Sequence, residues 1–179
     1  MADIKKVSTP LTQEQVADLK AGDSVLITGV IYTGRDAAHK NLVNALKDGQ
    51  ELPVDLKDQI IYYVGPTPAK PGQAIGSCGP TTSGRMDAYA PTLIERVGLK
   101  GMIGKGPRNK DVISAMKKHG AVYLAAIGGA AAVIARSVKK ADVIAYPELQ
   151  SEAIYRLEVE DFPCIVAIDS EGNNLYESY

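Results

Sequence analysis

The sequence predicts an α/β domain built on a mixed sheet, and three of its features do so. Strand-like and helix-like stretches alternate through the middle of the chain, and its C-terminal end is rich in strand patterns. The 179 residues, 45% of them hydrophobic, are enough for one compact core. No repeat at a fixed period and no low-complexity tract interrupts this pattern.

Each element has its own reason. After residues 4–7, residues 11–19 carry Thr12 and Gln15 at capping-box spacing and meet Ala21-Gly22 as a stop, which predicts a short helix. Residues 25–32 are nearly all apolar or β-branched and predict a buried strand that ends at Thr33-Gly34. Arg35-Asp36 then open a second helix, in which Ala38, Leu42, Val43 and Leu46 fall at helical spacing up to Asp48-Gly49. Arg35 is thereby placed at a strand-to-helix junction, where side chains are presented rather than buried. Residues 51–56 read as a surface crossing and residues 59–64 as a second buried strand. The proline-rich run 65–72 reads as a rigid loop within the domain, because strand-like sequence resumes at residues 74–77.

The stretch from Gly76 to Gly106 concentrates glycines, hydroxyls and cations. Pro80, Thr81, Thr82 and Ser83 suit a helix start, whose free amides and positive dipole end attract an anion. Arg85 adds a planar fork that fits a carboxylate or phosphate. Met86, Ala90, Leu93, Ile94 and Val97 keep helical spacing as far as Gly98, with Pro91 expected to kink the helix or start a fresh segment. Residues 99–104 predict a short strand that lifts Lys105, between two glycines, to its end. A small-anion site is the reading these residues support, beside an ordinary capped helix and a turn.

Residues 111–119 predict a helix stopped by Gly120, and residues 121–127 another buried strand. Residues 128–135 read as a helix start so poor in bulk that another surface, such as the backbone of residues 76–79, packs closely on it. Residues 142–146 and 153–159 read as strands. Residues 164–168 read as a further strand, paired across 169–174 with Leu175-Tyr176 in a hairpin.

Composition excludes several functions. The 20 Lys and Arg against 21 Asp and Glu give a net charge of -1, so no global field draws the chain to nucleic acid or anionic lipid. With aromatics at 6% and no Trp, a base-stacking surface is not expected either. The N-terminal residues lack the apolar core of a signal peptide, and no apolar run approaches the ~18 residues of a membrane span, so the expected location is the cytoplasm. The two cysteines, Cys78 and Cys164, are then expected to be reduced, and they are too few for a cubane iron–sulfur cluster. His39 and His119 stand apart from each other and from the cysteines, and read as packing or helix-surface residues rather than metal ligands. Gly104-Lys105 does not make a P-loop, since Leu99 stands where the earlier glycine belongs and Gly106 replaces the Ser or Thr.

Taken whole, Gly79-Pro-Thr-Thr-Ser-Gly-Arg-Met-Asp87 and Gly101-Met-Ile-Gly-Lys-Gly106 resemble the C-terminal, beta part of the class I iron–sulfur fumarases, a family that also includes the tartrate dehydratases. Residues 32–40 (Tyr-Thr-Gly-Arg-Asp-Ala-Ala-His-Lys) and 152–163 (Glu-Ala-Ile-Tyr-Arg-Leu-Glu-Val-Glu-Asp-Phe-Pro) extend the likeness over nearly all of residues 1–179. The resemblance implies a single "swivelling" β/β/α domain with a central β core and helices outside. It implies a beta subunit of a two-subunit hydro-lyase that interconverts fumarate and L-malate, in an α2β2 assembly. The [4Fe–4S] cluster would be bound by the alpha subunit and not by this chain. It further implies that Arg35, Arg85 and Lys105 bind the substrate carboxylates and that Thr81 is the catalytic base, aided by a carboxylate of the alpha subunit. Gly84 is the fumarase-like form, where some tartrate dehydratase beta subunits carry a bulkier residue. The alternatives are a tartrate dehydratase beta subunit and a non-catalytic anion-binding or assembly domain. On the first reading, these four residues form a cationic face that no acid of this chain neutralises.

Overall fold

The computed structural model describes residues 4–126 and 131–177. Among these residues seven strands form one mixed sheet: β1 (Lys5–Ser8), β2 (Ser24–Thr33), β3 (Ile60–Tyr62), β4 (Gly101–Gly104), β5 (Val122–Ala126), β6 (Val138–Ala145) and β7 (Ile154–Ile168). Their order is β1-β2-β3-β4-β5-β7-β6, and β7 also pairs with β2, so β2, β3, β4, β5 and β7 close on themselves. β1 through β5 run parallel to their neighbours, whereas β7 is antiparallel to β2, β5 and β6. Closure removes exposed strand edges from the centre of the sheet. The helices are α1 (Gln13–Asp18), α2 (Asp36–Lys47), α3 (Ala90–Val97), α4 (Lys110–His119) and α5 (Ala131–Ser137). This is the mixed α/β architecture that the alternation of patterns predicts, with the helices outside the sheet as the resemblance implies.

The continuous apolar runs are explained by burial on both faces of the strands. Ile60, Tyr62, Ile103, Val122 and Leu124 join one cluster with Val16 of α1 and Ile134 of α5. The alternate residues Ile61, Tyr63, Met102 and Tyr123 join a second, with Leu42 of α2, Leu93 of α3 and Met116 of α4. Helix ends follow their signals. Thr12 and Gln15 make the reciprocal capping box of α1, and Gly98 and Gly120 cap α3 and α4 in left-handed conformations.

Several expectations give way to tertiary pairing. Residues 74–77 form no strand: Thr67 and the Gly76–Ser77 backbone exchange hydrogen bonds instead, 3.1 Å from Gly76 N to Thr67 O and 3.0 Å from Thr67 N to Ser77 O. A Cβ on Gly76 would lie 2.5 Å from Pro68 O, so the surface that glycine accommodates is the proline-rich loop. Of the bulk-poor residues 128–135, 128–130 lie outside the described residues and the rest belong to α5. Residues 153–159 and 164–168 are not two strands but one of 15 residues, because β2 pairs along both halves. The break near Asp161 survives as its positive φ of 53° and as a register shift against β2 between Phe162 and Val159. The predicted terminal hairpin reduces to one bridge between Ile168 and Asn174, followed by a 3₁₀ turn at Leu175–Glu177. Asp169 organises that turn, accepting from the amides of Ala21, Glu171 and Asn173. β6 starts four residues before the predicted Asp142, since β7 templates Val138 onward.

Candidate functional site

Parallel register brings the carboxyl ends of β2, β3 and β4 side by side, the place where ligands bind in α/β sheets. All four predicted site residues lie there. Arg35 follows β2, and Gly34 before it donates to Tyr62 O of β3 at 3.1 Å. Arg35 is the N-cap of α2 with extended backbone and no side-chain capping bond. Its side chain lies across Gly65, where a Cβ would come within 2.5 Å of Nη1, so a glycine at 65 is what lets the guanidinium lie flat there. Its Nε stands 4.0 Å from Glu152 Oε1, and the same oxygen accepts from Ala37 N at 3.4 Å. Glu152 thus complements both the arginine and the start of α2.

The long connection after β3 folds back over these strand ends. Thr81 N donates to Tyr63 O at 2.7 Å, Thr82 bridges to Lys105, and Ser83 N donates to Lys105 O at 2.8 Å. The expected helix start is therefore a 3₁₀ turn at Ser83–Ala88 without a side-chain cap, and α3 begins afresh at Ala90 with Pro91 in its first turn. This corrects the helix-dipole part of the anion-site reading. The amides of Thr81 and Ser83 are taken by Tyr63 and Lys105 carbonyls, so these two are not donors to a ligand. Arg85 reaches back to Asp36, with Nε 3.4 Å from Oδ2, and this pair links the turn to α2. Lys105 is exposed, and among the described residues it forms no ion pair.

The expectation of a cationic face without internal acids is thus corrected. Asp36 and Glu152 partner Arg85 and Arg35, because the first turn of α2 and the residues before β7 both carry carboxylates to this end of the sheet. Among the described residues, Lys105 alone of the three cations has no such partner.

Beneath the surface lies a layer that the sequence reading did not single out. Arg108, its side chain fully buried, sits between the rings of Tyr63 and Tyr123, with its guanidinium carbon 5.2 Å and 4.8 Å from their centroids. It donates to Asp87 Oδ1 at 2.6 Å and to Tyr63 Oη at 3.1 Å, while Asp87 Oδ2 accepts from Asn109 N at 2.8 Å. Burial pushes both phenols above their ordinary range and keeps them neutral. Ser83 is fully buried, with its Oγ 2.7 Å from Tyr123 Oη. Tyr63 just past β3 and Tyr123 within β5, each in a largely apolar run, are the available signal, since a buried phenol needs a polar partner.

His39 proves to be a core residue, not a surface one. Its Nδ1 lies 2.8 Å from Arg35 O, and its ring meets Tyr63 edge to face at 5.4 Å. Burial first, and the charge of Arg108, lower its pKa to about 4 despite the Arg35 carbonyl, so the ring is neutral. The unfolded chain binds the proton near 6.5 and the folded one near 4, so this contribution to stability is complete above the first value and lost as pH falls to the second. The loss amounts to about 3 kcal/mol, at ~1.4 kcal/mol per pH unit. Urea unfolding of the wild type is expected to shift to a clearly lower midpoint between pH 7 and pH 5, and His39→Gln to flatten that dependence. Parallel curves for the two proteins would show that His39 does not carry it.

The cysteines face inward. Cys78 and Cys164 are free and buried in the same core cluster, and burial raises both thiols, that of Cys78 to about 12. The described residues contain no group of three or more His, Cys, Asp or Glu placed to hold a metal. Two protonated core thiols do not fit an iron–sulfur cluster, which is held by several thiolates. No helix among the described residues is long and apolar enough to cross a membrane.

Comparison with known proteins gives a consistent picture. Residues 2–179 match the family described as Fumarase C-terminus. "Fumarate hydratase class I, anaerobic" of Escherichia coli (strain K12) is 44% identical over 164 residues, covering 91% of this chain and 30% of that protein. "Fumarate hydratase class I, aerobic" of Salmonella typhimurium is 43% identical over 165 residues, covering 92% of this chain and 28% of that protein. "Putative L(+)-tartrate dehydratase subunit beta" of Methanocaldococcus jannaschii is 43% identical over 172 residues, covering 93% of this chain and 88% of that protein. The chain thus spans less than a third of the fumarate hydratases and most of the tartrate dehydratase subunit.

Proposed function

This chain belongs to the Fumarase C-terminus family, and from that premise we propose that it is the beta subunit of a two-subunit hydro-lyase acting on fumarate and L-malate. The observation that carries the proposal is the gathering of Arg35, Thr81, Arg85 and Lys105 at the adjoining carboxyl ends of β2, β3 and β4. A dicarboxylate needs donors for two carboxylates. Arg85 offers a planar fork and Lys105 a compact charge on a clamped backbone, while Arg35 closes the side nearest α2. Hydration adds a hydroxyl to one alkene carbon and a proton to the other; dehydration removes both. Thr81 is held beside the end of β3 by its amide bond to Tyr63 O, and its hydroxyl is the group we assign to contact the carbon that gains or loses the proton. Asp36 and Glu152 are engaged with the arginines, and the carboxylate that assists Thr81 comes from the alpha subunit. The [4Fe–4S] cluster is likewise the alpha subunit's, in keeping with the buried, protonated state of Cys78 and Cys164.

The share of each relative covered supports the division of labour. The fumarate hydratases carry more than twice this length besides the matching part, whereas the near-equal relative is named as a subunit beta. That name also supports a second reading, a tartrate dehydratase beta subunit. A Cβ on Gly84 would meet nothing within 4 Å, so this position can carry the bulk that alters substrate preference without disturbing the fold.

Co-expression with an alpha-type chain, anaerobic purification, mass measurement and steady-state kinetics test the proposal. Two copies of each chain are expected, with kcat/KM for malate above that for tartrate by about tenfold or more. The isolated chain is expected to be colourless, to bind no iron and to lack hydratase activity. A brown, stoichiometric cluster on this chain alone would overturn the assignment of the cofactor to the partner. Preference for tartrate would select the second reading, and failure of the chains to associate at micromolar concentration would return the chain to an anion-binding domain.

A further inference from the structure

Lys105 and Arg85 come from different segments, and a site for two carboxylates works only if the distance between their charges is held. The backbone around Lys105 is clamped at successive residues. Its own carbonyl accepts from Ser83 N at 2.8 Å, Gly106 N donates to Tyr176 Oη at 3.1 Å, and Gly106 O accepts from Tyr123 Oη at 2.8 Å. Since the phenol's only proton goes to Gly106 O, the 2.7 Å contact between Tyr123 and Ser83 has Ser83 Oγ as donor. The chain of bonds therefore runs one way, from Ser83 to Tyr123 to Gly106, and joins the Arg85 turn to the Lys105 strand end through two buried hydroxyls. Gly104 makes room for it: a Cβ there would lie 2.0 Å from Ser83 Oγ and 2.8 Å from the Tyr63 ring. Gly106 turns the strand away with a φ of 89°. Both glycines beside Lys105 thus have a structural cause in this joint.

We propose that Ser83 and Tyr123 are positioning residues that set the spacing of Arg85 and Lys105, and so select a dicarboxylate over a monocarboxylate. The proposal rests on the function proposed above. Neither residue reaches the substrate. Both hydroxyls are buried, and each acts through the backbone of a neighbouring cation. Losing either hydroxyl leaves the cations present and charged but their spacing held by the backbone bonds alone, and a displacement of the order of 1 Å is enough to spoil simultaneous contact with two carboxylates.

Ser83→Ala and Tyr123→Phe, in the two-chain enzyme, test this by competitive inhibition. The inhibition constant of succinate is expected to rise roughly tenfold in each variant, and that of propionate to change by less than about twofold. The double variant is expected to be no worse than the poorer single one, because the hydroxyls act in series. A merely structural role would lower the active fraction and leave both inhibition constants unchanged, and that result overturns the proposal, as does an equal rise in both. Hydrogen exchange on this chain alone gives a readout independent of any activity. Tyr123→Phe is expected to speed exchange of the Ser83 and Gly106 amides relative to those of β5. If the wild-type complex hydrates no dicarboxylate but this local change is seen, the proposed function fails while the joint stands. If exchange at both amides is unchanged, the joint itself fails.

Discussion

Replacing Arg85 by lysine is expected to lower kcat/KM of the assembled enzyme by roughly 30- to 150-fold. The charge remains, but the fork that meets a carboxylate with two parallel bonds is lost, and one charge-assisted bond in a closed site is worth ~2 to 3 kcal/mol. The structure sharpens this expectation. Arg85 Nε faces Asp36 Oδ2 at 3.4 Å, which orients the guanidinium and leaves its terminal nitrogens for a ligand. A lysine has a single head group, which must serve either Asp36 or the substrate. Thermal stability should be nearly unchanged, because Arg85 and Asp36 side chains are 55% and 40% exposed and such pairs contribute only ~0 to 1 kcal/mol. Steady-state kinetics with fumarate and malate, beside a melting curve, check both halves. Near wild-type kinetics would remove Arg85 from the site.

Arg108→Met is expected to destabilise the fold by about 3 to 5 kcal/mol. The guanidinium is fully buried, and its removal strands the Asp87 carboxylate, 10% exposed, with only the Asn109 amide for compensation. It also leaves the Tyr63 hydroxyl without its donor and empties the space between two rings. Pairing Arg108→Met with Asp87→Asn should recover part of the loss, since no lone charge is then buried. Urea denaturation at pH 7 of the two single variants and the double variant measures the coupling. Additive losses would show that the pair is not the cause of the cost.

The candidate site was legible in the sequence wherever local rules carry it. Arg35 after a strand, Lys105 between glycines at a strand end and Arg85 past a run of hydroxyls could each be placed from periodicity and turn signals alone, because strand ends and helix starts are set by neighbouring residues. What those rules could not supply was the partner of each group. Asp36 and Glu152 were not recognised as counter-charges, since the first reaches Arg85 across 49 positions of sequence and the second Arg35 across 117. Arg108 lay unnoticed for the same reason: its burial depends on Tyr63, Asp87 and Tyr123 arriving from three separate elements.

The sequence by itself determined the alternation of strands and helices, the caps of α1, α3 and α4, the two-sided burial of the central strands, and the identity of the cations at the strand ends. These follow from side-chain size, polarity and spacing over a few residues. Tertiary structure alone decided that β7 is one continuous strand that closes the sheet, that Thr82 and Ser83 bridge to Lys105 rather than cap an α-helix, and that His39 is buried and neutral. In each case a backbone or ring groups with a segment distant in sequence: in the second, Thr82 and Ser83 join Lys105 while Thr81 joins Tyr63. The hydrogen bonds and burial gained there outweigh local preference, which amounts to only about 1 kcal/mol or less per residue.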